Sequence, residues 1–177
     1  SKLLFTNKEQ DLFGKDFYII TVPTPLKKNN KPDLSPLKSA SKTVGKHISK
    51  GSIIIYESTV YPGCTEEDCI PILEKYSNLE FNKDFFCGYS PERINPGDKK
   101  RKLKDIVKVV SGSNKKTTNS VNKLYKSIIK AGTHIAPSIR VAEASKIIEN
   151  VQRDVNISLV NEFALIFEKL EIDTADV

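Results

Sequence analysis

Four residues at helical spacing near the end of the chain could act together on a polar substrate: Glu143, Lys146, Asn150 and Arg153. They point one way, which sets a carboxylate, an amine, an amide and a guanidinium on one side of a helix. At about 100° per residue, Glu143, Lys146, Asn150, Asp154 and Asn161 form a stripe. Val141, Ala144, Ile148, Val151, Val155, Leu159 and Ile166 gather opposite it. Periodicity alone reads this as an amphipathic helix, residues 138–170, with its polar face in solvent.

Three other stretches display chemistry where a strand ends. Val22-Pro23-Thr24-Pro25 follows one apolar run, and Glu57-Ser58-Thr59-Val60-Tyr61-Pro62-Gly63 follows another. Hydroxyls set among rigid prolines could hold a cofactor's ribose or nicotinamide; taken alone, such a turn is a stiff loop. The third stretch is Tyr89-Ser90-Pro91-Glu92-Arg93-Ile94-Asn95-Pro96-Gly97-Asp98, where Glu92 could serve as a base and Arg93 as a phosphate or sugar ligand. Its bland alternative is a local Glu92–Arg93 ion pair in a surface turn.

The elements that must position these residues alternate in type. Apolar runs predict strands at 3–6, 17–22, 53–56, 85–89 and 106–111, with a further one at 133–136. Helices fit between them at 34–48, 65–76 and 114–129. The first is capped by Asp33 or Ser35 with Pro36 early in it; the second carries a Thr65–Asp68 capping box. Pro71, about two turns into the second, should kink or restart it. Alternation of this kind is α/β and favours a parallel wound sheet, with ligands outside the carboxyl ends of its strands.

Composition narrows the classes. A chain of 177 residues with 38% hydrophobic content can bury one sizeable core. Its apolar runs are too short to span a bilayer, and no signal-peptide pattern opens it, so the expected location is cytoplasmic, away from membranes. Three cysteines without a C-x-x-C pair and two histidines supply neither a disulfide framework nor a recognisable metal site. Cys64, near a helix start, is read as a small buried residue, although a helix N-terminus can lower a thiol's pKa. The net charge of +6 is spread over lysines, and the densest cluster, Lys99, Lys100, Arg101, Lys102 and Lys104, lacks interleaved aromatics. Nucleic acid is therefore not the expected partner, whereas an acidic small molecule would benefit from the potential.

In this order and with these gaps, the four stretches, with Glu143-Ala144-Ser145-Lys146-Ile147-Ile148-Glu149-Asn150-Val151-Gln152-Arg153-Asp154 as the last, resemble the UDP-glucose/GDP-mannose 6-dehydrogenase family over nearly the whole chain. The Tyr89–Asp98 and Glu149–Asp154 runs look most like the bacterial branch that acts on UDP-N-acetylhexosamines in surface polysaccharide synthesis. UDP-glucose and UDP-N-acetylmannosamine dehydrogenases are the neighbouring alternatives. The resemblance implies oxidation of the sugar C6 alcohol to a carboxylate in two steps with two NAD, the aldehyde being held on a cysteine between them. It implies cofactor contacts at Val22, Pro23, Thr24, Ser58 and Thr59, and substrate contacts at Glu92, Arg93, Ile94, Lys146, Asn150 and Arg153. Lys146, Asn150, Glu92 and Thr59 would serve the chemistry, Lys146 at the reacting oxygen and Glu92 beside the water of thioester hydrolysis.

The implied fold is the later half of a Rossmann-like NAD-binding domain, residues 1–137, followed from 138 to 177 by the start of a central helical domain that supports a homodimer. The family's glycine-rich pyrophosphate turn has no counterpart here, since Gly14 stands alone, and Cys64, Cys69 and Cys87 match no catalytic-thiol motif. With no methionine at position 1, the expectation is a part of a larger enzyme, inactive by itself. A noncatalytic binding or assembly protein on the same half-domain is the competing class.

Overall fold

The computed structural model describes residues 3–94 and 102–177. Five strands form one sheet in the order β1 (Phe17–Ile20), β2 (Ile53–Tyr56), β3 (Phe86–Tyr89), β4 (Lys108–Gly112) and β5 (Thr133–Ile135). β1, β2 and β3 are parallel in simple register, as are β4 and β5. Between the two groups the direction reverses, because β3 and β4 pair antiparallel through Gly88–Gly112 and Tyr89–Ser111. The parallel pairing expected from the alternation holds within each group and reverses only between β3 and β4. The connection from β3 to β4 contains only a short 3-10 turn (Leu103–Asp105) among its described residues, and no crossover helix to carry the chain back for a parallel return. Asn95 to Arg101, with three of the five residues of the Lys/Arg cluster, lies outside the described residues.

Helices cover both faces. Alternate strand residues Tyr18, Ile20, Ile54, Tyr56, Cys87, Tyr89 and Val109 join α1 (Ser35–Gly45), α2 (Ile70–Ser77) and the start of α4 (Ile139–Lys169) in one core. Ile53, Ile55 and Val110 turn the other way, against Val121 and Tyr125 of α3 (Lys115–Lys126). β2 is buried on both sides, which is why its sequence is an unbroken apolar run. At β4 the backbone of α3 comes so close that a Cβ on Gly112 would lie 2.5 Å from the Thr118 nitrogen. Only glycine fits there.

Local hydrogen bonds and prolines explain where the helices begin. Asn114 accepts from the Thr117 N–H to open α3, and Ser138 accepts from Val141 to open α4. Before α1 the Asp33 carboxylate accepts from Ser35, with Pro36 in the first turn. Pro71 does restart its helix. Residues Thr65–Cys69 form a π-helical turn, and α2 begins at Ile70 with the proline in its first turn, where no N–H is required.

Three expectations fail. Residues 3–6 form no strand, and Leu3, Leu4 and Phe5 are exposed; no neighbouring strand in the described chain pairs with them. The Thr65–Asp68 capping box does not form, because Thr65 is drawn to Glu143 and Asp68 to Lys38 and Tyr61. The third correction concerns α4, whose polar stripe faces the protein along its first three turns while Val141 and Ile148 face out, Ile148 at 71% exposure.

Candidate active site

β1, β2 and β3 end on the same side of the sheet, so the turns carrying Thr24, Thr59 and Glu92 share one edge. Because β4 runs the other way, its first residue, Lys108, arrives at that edge too. α4 crosses it and is fastened at two levels.

The lower fastening is Glu143, wholly buried, which accepts from the Gly63 N–H at 2.6 Å, the Thr65 N–H at 2.9 Å and the Thr65 hydroxyl at 2.7 Å. Gly63 can present its N–H this way because its φ of +98° is open to glycine. A carboxylate supplied from 78 residues away thus satisfies the donors at the head of the π-helical turn, a task local side chains perform elsewhere. Burial pushes the Glu143 carboxyl above the usual carboxylate range, against the pull of its hydrogen bonds to Thr65 and Gly63. Arg140 adds exposed pairs to Glu66 and Glu67.

The upper fastening is Glu149, which takes the Arg93 guanidinium at 3.2 Å from the turn after β3 and the Arg153 guanidinium at 3.0 Å from one turn along α4. Arg93 therefore does not pair with Glu92, and the local ion pair weighed for that turn does not form. Glu92 instead accepts the Arg93 and Ile94 N–H groups on Oε1, at 2.6 and 2.7 Å, while its Oε2 lies 3.6 Å from Lys108 Nζ.

Lys146 and Asn150 stand between and just beyond these fastenings, half-buried. Burial lowers the Lys146 pKa below the usual lysine range, Glu149 opposes the shift, and Arg153 and Arg93 add to it. An amine in this state can exchange a proton nearer neutrality than a surface lysine, or stabilise negative charge while protonated. Among the described residues it makes no salt bridge.

The sites proposed for a cofactor have distinct surroundings. The Thr24 hydroxyl is buried without a hydrogen-bond partner among the described residues, a costly state that an incoming polar group would relieve. Ser58 is buried and donates to the Val22 carbonyl at 2.6 Å, locking the two turns together. Pro23 and Thr59 are exposed on the same edge, and Val22 is half-buried. Ile94 is exposed beside Arg93, which is half-buried, and Arg153 is exposed. The three cysteines are buried, and Cys64, between Gly63 and Thr65, is pushed up by its hydrogen bond to Cys69 and by burial, as a structural thiol would be.

Sequence reasoning missed the roles of Glu57, Lys108, Tyr125 and Glu149 at this edge. Lys108 had a readable signal: it interrupts the apolar run from Ile106 to Val110, and a charge in a buried strand needs partners.

Residues 1–129 match the NAD binding domain of the UDP-glucose/GDP-mannose dehydrogenase family, and residues 140–177 match its central domain. The chain belongs to the UDP-glucose/GDP-mannose dehydrogenase family. It is 59% identical over 174 residues to UDP-N-acetyl-D-glucosamine 6-dehydrogenase of Pseudomonas aeruginosa, covering 98% of this chain and 41% of that protein. Against the enzyme of the same name from Salmonella typhi it is 56% identical over 172 residues, 97% of this chain and 40% of the relative. The solved UDP-D-ManNAc dehydrogenase of Pyrococcus horikoshii superposes with a TM-score of 0.88 at 37% identity, over 97% of this chain and 40% of that one. This family member thus spans about two fifths of the length of the curated relatives it matches. No described helix is long and apolar enough to cross a membrane.

Proposed function

We propose that these residues form the cofactor-side half of a cytoplasmic NAD-dependent dehydrogenase that oxidises C6 of a UDP-N-acetylhexosamine to the carboxylate. The observation that carries the reading is the convergence of Lys146, Glu92, Arg93 and Arg153 at the strand-end edge that also carries the turn with the orphaned Thr24 hydroxyl. The residues present fit NAD: Thr24 has an unused hydroxyl for it, Thr59 is open on the same edge, and Ser58 holds the Val22-Pro23 turn in place. When bound, NAD supplies the acceptor for the two electrons that leave C6 in each oxidation.

The chain's own residues do the rest. Lys146, with its lowered pKa, takes the proton of the C6 hydroxyl or balances the charge left on that oxygen. Asn150, one turn on, hydrogen-bonds the same oxygen, which fixes the direction in which C6 faces the cofactor. Arg93, Ile94 and Arg153 lie along the nucleotide sugar, the two guanidiniums against its anionic or polar groups. Glu92, held by two N–H groups, faces the water that hydrolyses the thioester left by the second oxidation. Residues 138–177 open the central helical domain.

A second copy of the protein is the proposed cover for the outer face of α4. Val155, Leu159 and Ile166 are each about half exposed, at 57%, 52% and 49%, in a row too long for a monomer surface.

The test is to express the whole product of the gene and measure NADH formation with UDP-N-acetylglucosamine, UDP-N-acetylgalactosamine, UDP-N-acetylmannosamine and UDP-glucose. The expected result is two NADH per sugar and a uronate product by mass spectrometry, fastest with an N-acetylhexosamine. Absence of NADH with all four would overturn the reading in favour of a noncatalytic role.

A further inference from the structure

Lys108 opens β4 with only 3% of its side chain exposed, a burial that costs several kcal/mol for an ammonium unless it is paired. Its partners come from three other elements. The Glu57 carboxylate, after β2, lies 3.2 Å away, and the Glu92 carboxylate, after β3, lies 3.6 Å away. The Tyr125 ring of α3 sits 5.2 Å below the ammonium, and its hydroxyl donates to the same Glu57 oxygen that Lys108 meets. This cluster can assemble only because β4 is antiparallel to β3, which brings the first residue of β4 to the carboxyl ends of β2 and β3.

The ammonium faces two carboxylates that would repel each other without it. It also completes a clamp on Glu92, whose Oε1 takes the Arg93 and Ile94 N–H groups while Oε2 points to Lys108. From this turn Arg93 reaches Glu149 on α4, one turn from Lys146.

We propose that Lys108 is a positioning residue for the nucleotide-sugar site, anchoring Glu92 to the core and so setting the place of the 92–94 turn relative to α4. The proposal rests on the dehydrogenase reading above. Lys108 itself does not touch substrate, since it lies beneath Glu92 in the sheet.

A double-mutant cycle on the whole gene product tests it, with Lys108→Gln, Glu92→Gln and the pair. The measurements are kcat and KM separately, and UDP-sugar affinity by calorimetry without NAD. Lys108→Gln should lower kcat/KM on the order of 10²-fold, the scale of a misplacement near 1 Å, with a cooperative thermal transition retained. In the Glu92→Gln background the same change should cost little. Equal losses in both backgrounds, or an unchanged kcat/KM in folded Lys108→Gln, would show that Lys108 does not act through Glu92. Should Lys108→Gln fail to fold, the cycle is run with Lys108→Arg, whose planar head cannot take the ammonium's place, and is read in the same way. A wild-type protein that binds UDP-sugar without oxidising it overturns the dehydrogenase reading alone, and the cycle is then read on dissociation constants. One that does neither overturns both.

Discussion

The two ends of α4 present opposite solutions on one continuous helix. In its first three turns Ile139, Ala142 and Glu143 are buried and Lys146, Glu149 and Asn150 half-buried, whereas from Val151 to Lys169 every residue except Ala164 and Phe167 is exposed. The head turns a charged stripe inward and leaves Val141 and Ile148 outside; the tail leaves both of its faces bare. The lesson is that a polar stripe marks the solvated face only when the surface opposite it is apolar. Here the sheet edge offers Gly63 and Thr65 donors and the Arg93 guanidinium, so the carboxylates of α4 find partners inside.

The sharpest test of this contrast is Lys146→Ala. If the head is the reactive end, turnover should fall by about 10³-fold or more, equivalent to about 4 kcal/mol of transition-state stabilisation, with the fold intact by circular dichroism. Near-normal kcat would remove Lys146 from the mechanism.

Glu143→Ala probes the fastening rather than the chemistry. It strands two buried N–H groups and a hydroxyl, so the expected loss is about 3 kcal/mol of unfolding free energy in urea melts. A change below about 0.5 kcal/mol, the level of an ordinary surface substitution, would mean that the head is not held by this carboxylate.

In the tail, Leu159→Glu should leave unfolding of the α/β part within about 0.5 kcal/mol of wild type while weakening self-association. Sedimentation at several concentrations reads this directly. A wild-type protein that stays monomeric at every concentration would break the proposed role of the tail.

The smallest expected effect concerns pH. A lysine whose folded pKa lies below its unfolded value costs stability while it is charged in both states, and the cost disappears once it is neutral in both. Lys146→Met should therefore melt slightly above wild type near neutral pH, with the gap closing as pH rises through the lowered Lys146 pKa toward the ordinary lysine value. A gap that widened with pH would contradict the burial of this amine.

The placement of much of the candidate site could be read from sequence because its residues sit in local contexts that dictate their own geometry. Thr24, Thr59 and Glu92 follow apolar runs that read as strands, and Lys146, Asn150 and Arg153 share one helical stripe. What stayed hidden were pairings across long separations. Thr65 suited a local capping box until Glu143 outcompeted it, and the 92–93 pair looked local until Lys108 and Glu149 divided it.

The chain by itself determined its elements, their punctuation by Asn114, Ser138 and Pro71, and the residue types at the site, because these depend on dihedral preference and hydrophobic period within a few neighbours. Tertiary structure alone decided the direction of β4, the inward turn of the charged stripe of α4 and the burial of Lys108. Each of these depends on which donors and acceptors meet across the sheet edge, and burying a charge is tolerated only where such partners converge.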